Sequence, residues 1–417
     1  MYLNLKNRIK PESKLRRFLF FRLPVFLGTI ILIIVFSVPA YFIWNNFGDV
    51  LAMLESKPVA DPLVPLILEQ MEKEREIQKE ASLMEPAFVY PPVEISMKKM
   101  KTLGCVADGL LSGYGEDTEE AVAMVNRSAC LYLHRAIETW NTPPDFTLAS
   151  KIMSQIDSDE IIYGLFIAEA INTKAIYYYP EEKRFFNFKT MCREGSENAW
   201  GEHTCKPTFS SGEYRKYLKY ITRKAMDLGI QSFLFGQIYY QDSADLGDSR
   251  FPDILEDMKE YAEKKDMDIV IGAQTGNITD KKYLSRFDYI EGGLGIGDDG
   301  EIEDGPCWSR LESCWALLWH KNYAGKAKNV FLHLDWSGLT FDDMSAFSRM
   351  ESAKRAEVLK KMHRNFTNRD MGFLMPLMAT LHGKNGGCYG PSAGFYSASK
   401  AYSCKDEGVI NLILRGK

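Results

Sequence analysis

Glu169, Glu291 and Asp335 are acids that close apolar runs. Residues 161–168 lead to Glu169, residues 287–290 lead largely through apolar side chains to Glu291, and residues 331–334 lead to Asp335, with Trp336 directly behind. His333 interrupts the last run. Gln237, Tyr239 and Asp242 follow "SFLFG", and Gln274 follows "DIVIGA". Charged and amide groups are costly to bury alone, so apolar segments that finish on them suggest strand tips lining a cleft. Acids and amides suit hydroxyl groups, and indole or phenol rings suit the apolar faces of sugars. Glycoside hydrolysis requires two carboxyl groups flanking one bond, one protonated and one ionised. Proximity of charge or an apolar wall divides such a pair by raising one pKa.

The segments that must position these residues alternate in kind. From residue 160 the patterning predicts a strand over 160–170 and a hairpin over 174–188 that turns at Pro180-Glu181-Glu182. A helix over 210–229 opens with a Ser210/Glu213 capping pattern and stops at Gly229. Strands over 230–242, 267–276 and 287–295 are separated by helices over 251–265 and 279–286. A helix over 312–325, the strand beginning near 331, a helix over 352–370 and an apolar segment over 372–379 follow, and 408–416 closes the chain. Upstream, 116–140 reads as one amphipathic helix with Val122, Val125, Ala129, Leu133, Ala136 and Ile137 as its stripe. His134 then belongs to that helix's surface or is a satisfied core group. Strand–helix alternation implies an α/β fold with a parallel sheet.

Over about residues 160–416 this arrangement resembles a TIM-barrel glycoside hydrolase, with carboxylates at strand ends and aromatic rings beside them. The resemblance implies a (β/α) barrel-like domain, incomplete or irregular because only six or seven strands can be counted. It implies a carbohydrate ligand and no cofactor. It makes Glu291 the acid/base and Asp335 the nucleophile or base, with Glu169 as substitute. Gln237, Tyr239, Asp242, Gln274, His333 and Trp336 would bind hydroxyls or stack. Two other readings stay open: a non-catalytic glycan-binding or cell-envelope barrel, and a glycosyltransferase. The second would want an acidic pair after a strand, whereas 157–159 (DSD) and 266–268 (DMD) precede strands. "GPSAG" (390–394) sits in a glycine-rich loop rather than a nucleophile elbow, and "GIGDDG" (295–300) has no helix to receive a pyrophosphate.

Charge is divided along the chain. Seven bases against Glu12 give residues 1–22 a net +6, so the remainder carries −11 of the total −5. An acidic body argues against nucleic acid, whose phosphates require a basic face. Residues 23–44 contain no charge and match the thickness of a bilayer, about 30 Å. The basic tail places the N-terminus in the cytoplasm and the body outside it: cell surface, periplasm or lumen. A cleaved signal peptide ending at 38–40 (VPA) is the alternative. The expected organisation is a tail over 1–22, a single-pass anchor over 23–44, a stem over 45–102 and an extracytoplasmic domain over 103–417. All eight cysteines follow the anchor and fall into local couples. The expected disulfides are Cys105–Cys130, Cys192–Cys205, Cys307–Cys314 and Cys388–Cys404, suited to an oxidising compartment. The cysteines and histidines lack zinc-site spacing, so no metal is expected.

Overall fold

The computed structural model describes residues 63–83, 86, 88–242, 250–303, 317–336, 342–383 and 387–417. The 23–44 segment and the Cys307–Cys314 couple lie outside the described residues. Among the described residues, no helix is long and apolar enough to cross a membrane. The chain divides into two units, 1–73 and 74–417. The described part of the first is the start of a helix, Leu63–Leu83, which contains the charged stretch of the expected stem. The second unit holds everything below.

Ten strands form its main sheet: β1 (Gly104–Ala107), β2 (Tyr132–Glu138), β3 (Ile162–Ile167), β4 (Ser232–Phe235), β5 (Val270–Gln274), β6 (Tyr289–Leu294), β7 (Val330–Leu334), β8 (Gly372–Phe373), β9 (Met375–Thr380) and β10 (Phe395–Ser397). Each strand from β1 to β7 pairs in parallel with the next. One residue, Leu374, separates β8 from β9, and its N–H bonds to Leu332 O at 2.8 Å. β9 then pairs in parallel with β1. Residues 372–380 therefore act as one strand that bonds to β7 on one side and β1 on the other, and the parallel row closes on itself. β10 adds an antiparallel strand outside the ring. The result is a TIM-barrel-like α/β domain.

Contacts across the axis agree with closure. The hydroxyls of Tyr132 on β2, Ser232 on β4 and Tyr289 on β6 lie 3.1–3.2 Å apart, although these strands are not neighbours. Alternate strands supplying one interior layer is the packing rule of such barrels. The rings fit because glycines face them: a Cβ on Gly272 would overlap the Tyr289 ring, and one on Gly236 would overlap Phe166 and Glu169.

The helices follow their capping signals with local corrections. Asp117 caps Thr118–Arg127 by accepting from Glu120 N. The helix before β4 is Gly212–Leu228, and its cap is Ser211, not Ser210. The expected helix over 116–140 is wrong past Arg127. Ser128 turns extended, and Tyr132–Glu138 is a strand buried on both faces. An apolar stripe at helical spacing persisted through a strand because a barrel strand buries both of its faces, which removes period-2 alternation. The strand expected over 230–242 is also too long: it ends at Phe235, and Ile238–Gln241 is a short helix. The hairpin is present as Tyr178–Tyr179 against Arg184–Phe185.

Three of the four expected disulfides lie among the described residues: Cys105–Cys130, Cys192–Cys205 and Cys388–Cys404. The first ties β1 to the approach of β2 across a sequence separation of 25. Removing it with Cys105→Ala and Cys130→Ala together should cost about 3.5 kcal/mol by releasing that loop in the unfolded chain. Urea unfolding of the double variant checks this, with a lowered midpoint as the expected outcome.

Candidate functional site

The site is built in tiers along the barrel axis. At the bottom, the Tyr132 hydroxyl meets the Ser232 and Tyr289 hydroxyls and lies 2.9 Å from His134 Nδ1. His134, two residues on along β2, lies 3.2 Å from Glu291 Oε1 through Nε2. His333 from β7 brings its Nε2 against the same oxygen. Glu291, His134 and His333 are all fully buried.

Their protonation follows from their partners. His333 Nδ1 faces Leu334 O at 2.9 Å, and its Nε2 faces a carboxylate. Nδ1 therefore donates to a carbonyl, and Nε2 lies against a carboxylate whose charge favours a proton there, the imidazolium form. The Glu291 charge holds its pKa up against the opposing effect of burial. Burial instead lowers the pKa of His134. A neutral His134 donates from Nε2 to Glu291 and accepts the Tyr132 proton at Nδ1. Glu291 stays ionised: burial opposes its charge, but His333 and His134 together hold its pKa well below the carboxylate range. Both imidazoles thus spend their inward nitrogens on one oxygen. Among the described residues no cluster of His, Cys, Asp and Glu is arranged to hold a metal ion.

Beyond these three residues, toward the carboxyl ends of the strands, lies the mouth of the barrel. Strand β2 carries a bulge here: its register with β3 shifts between Leu133 and Ile137, and Arg135 takes a left-handed φ of 56°. The bulge lets Arg135, which follows the inward His134, also turn inward. Its guanidinium lies 3.8 Å above the Phe166 ring and 4.6 Å from the Trp336 ring, while Nε bonds Glu138 Oε1 at 2.5 Å. Trp336 in turn packs edge-on to His333 at 4.4 Å between centroids. Burial and the nearby Asp108 push Glu138 up, against the pull of Arg135. Asp108 itself accepts from Thr380 N and Oγ1 at 3.2 and 3.1 Å.

The acids expected from sequence reach this mouth from three strands. Glu169 follows β3, is buried, and accepts from Gln237 Nε2 on one oxygen. Among the described residues its other oxygen has no partner. Burial raises its pKa, with Arg135 and Gln237 among the opposing influences. Asp335 follows β7 and is partly exposed. Burial raises its pKa too, while the charges on His333 and Arg135 pull it down. Gln274 Oε1 accepts from Gln237 N at 3.2 Å, which joins the ends of β4 and β5. Tyr239 is half exposed beside Tyr240. Asp242 is fully buried, and its carboxylate accepts from the Tyr283 hydroxyl at 2.7 Å, tying two helices together.

Sequence reasoning passed over several residues. His134, Arg135 and Glu138 were hidden by the helical reading of 116–140. The signal was "HR" set between apolar residues, the same pattern that exposed His333. Trp140 and Trp200, 5.6 Å apart, and Tyr240, 5.9 Å from Trp200, form an aromatic shelf that continues to Tyr239. Trp200 belongs to the disulfide-bounded loop 192–205, which sequence alone does not connect to the barrel.

No family model and no curated protein matches this chain. Solved structures similar to it include glycoside hydrolases. A GH27 β-L-arabinopyranosidase from Geobacillus stearothermophilus, in complex with arabinose, aligns over 67% of this chain and 73% of its own at 10% identity and TM-score 0.38. A cyclic α-maltosyl-(1→6)-maltose hydrolase from Arthrobacter globiformis aligns over 79% and 78%, at 11% identity and TM-score 0.42. A glycoside hydrolase family 5 enzyme from Prevotella bryantii aligns over 78% and 99%, at 9% identity and TM-score 0.42. The barrel described above rests on its own strand pairings, and no site residue is transferred from these proteins.

The buried pair sets a pH signature. Glu291, with its lowered pKa, stabilises the fold above about pH 4.5 and loses that contribution as pH falls toward its folded value. His333, with its raised pKa, contributes fully below about pH 6.5 and loses it as pH rises through its folded value. Stability should therefore be greatest between these limits. Glu291→Gln should cost about 3 kcal/mol or more and let His333 lose its proton at lower pH. Denaturant titrations across pH, with histidine NMR on both proteins, test both statements.

Proposed function

We propose that the barrel mouth hydrolyses a glycosidic bond, with Asp335 as the nucleophile or base and Glu169 as the proton donor. The supporting observation is that Glu169, Glu291 and Asp335, carried by β3, β6 and β7, share the field of one guanidinium, that of Arg135. Burial raises the pKa of both acids, but the His333 charge opposes that rise at Asp335, which is also the more open of the two. Glu169 is buried with one oxygen unpartnered, which favours the protonated form. Separation of two carboxyl groups in this sense is the signature of an acid and base assignment. Glu291 fits a positioning role better than that of proton donor. It is fully buried and held ionised, so it fixes the charge of His333 beneath Asp335. Gln237, Gln274 and the rings of Trp336 and Tyr239 supply hydrogen bonds and stacking surface for a sugar.

One observation favours a second reading, a non-catalytic glycan-binding barrel. Arg135 packs between Phe166 and Trp336 and occupies the mouth. The domain is proposed to act outside the cytoplasm, tethered by residues 23–44. Three disulfides suit that compartment.

A panel of aryl glycosides decides between hydrolysis and binding alone. Glu169→Gln and Asp335→Asn should each lower kcat/KM by about a thousandfold with the fold intact. Azide should restore turnover to an Asp335→Gly variant if Asp335 is the nucleophile. In the parent protein, rate should fall as pH drops and protonates Asp335, and fall again as pH rises and ionises Glu169. Both acids are shifted up, so the acid limb should lie above 3.8 and the alkaline limb above 4.5. Binding of glycans with no turnover of any glycoside would replace this reading with the second.

A further inference from the structure

We propose that Arg135 reads an oxyanion on the ligand, so that the sugar admitted to the mouth is an acidic one bearing a carboxylate or an ester of phosphate or sulfate. This deepens the reading above and rests on it for the sugar, not for the anion.

The argument begins with what Arg135 leaves unspent. A guanidinium carries five N–H donors in a planar fork. The bond from Nε to Glu138 uses one. Among the described residues, neither terminal nitrogen meets an acceptor, and 12% of the side chain is open. A guanidinium placed only to brace the barrel would have its fork filled, as that of Arg355 is by Asp406, Met350 O and Cys404 O. Arg135 is instead held at its stem and along its plane, with its tips free. Phe166 and Trp336 lie against it at 3.8 and 4.6 Å and fix the plane, which removes most of the entropy an anion would otherwise have to overcome. The left-handed backbone at φ 56° has the same consequence: the chain departs from regular strand geometry at the residue that delivers this group.

The nearby acids, Glu169 and Asp335 included, make no bond to its two terminal nitrogens. Glu138 is in contact only through Nε, and burial favours its neutral form. Asp108 accepts from Thr380. Glu291 faces two histidines through Oε1. A planar carboxylate matches the fork in two parallel bonds, while a phosphate or sulfate ester offers the same pair of oxygens. The ring of such a sugar would then lie within reach of Trp336, which shares the guanidinium's surface.

The test is calorimetric binding to the full chain at low salt, with glucuronic acid, glucose 6-phosphate and glucose as probes. An acidic sugar should bind at least about tenfold more tightly than glucose, and the stronger of the two identifies the oxyanion. Arg135→Lys keeps the charge without the fork and should lose most of that preference, as should Arg135→Gln. The histidine NMR signals of each variant report whether the tier below is intact. Equal binding of all three probes, binding of none, or a preference that survives in both variants overturns the proposal. Binding does not depend on turnover. A clear acidic preference without hydrolysis of any aryl uronide would sink the hydrolase reading alone, and hydrolysis of neutral glycosides without that preference would sink this inference alone.

Discussion

A charge buried on the barrel axis governs the rest of this molecule. Glu291 is ionised where water does not reach, and the cost of that is several kcal/mol unless partners at its charge offset it. His333 meets it with a charge and His134 with a neutral donor. Each histidine is fixed in turn, the one by Leu334 O and the other by the Tyr132 hydroxyl. Three strands, β2, β6 and β7, are thereby held in one relative register by polar contacts that tolerate little displacement. An apolar interior would pack as well but would not specify a protonation state. Gly236, just after β4, and Gly272, on β5, complete the arrangement by leaving room for Glu169 and Tyr289.

That buried tier explains the character of the mouth above it. An imidazolium below Asp335 and a guanidinium beside it offset the desolvation of several acids gathered in a small volume. Without these cations the carboxyl groups would all shift up together, and none would be available as a base. The bulge in β2 is the device that supplies the second cation. It places consecutive residues, His134 and Arg135, in successive tiers of one interior, which a regular strand with its alternating faces does not do. The aromatic shelf of Trp140, Trp200, Tyr239 and Tyr240 lies at the ends of β2 and β4 and in the loop after β3, so it borders the same face of the barrel.

Much of this was legible in the sequence, and what was not has a common cause. Apolar runs ending on Glu169, Glu291 and Asp335 do mark three strands of one parallel barrel. Glu291, however, is inside β6 rather than at its tip, because a barrel points alternate residues inward along the whole strand. β1 has only four residues, and β2 imitates a helix. The eighth strand is interrupted at Leu374, so its closing role emerges only from its pairing. Arg135 and Glu138 were invisible for the same reason as β2. The local couples of cysteines were readable because short loops close easily, and the three among the described residues are bonded. Asp242 shows a different use of an acid after an apolar run: its carboxylate accepts from the Tyr283 hydroxyl.

The central claim concerns where protons reside, and neutron diffraction from deuterated crystals observes them. The account predicts deuterium on both nitrogens of His333, on Nε2 alone of His134, on one oxygen of Glu169 and on neither oxygen of Glu291. A deuteron on Glu291, or a His333 bare at one nitrogen, would contradict it, and with it the foundation assigned to the acids of the mouth.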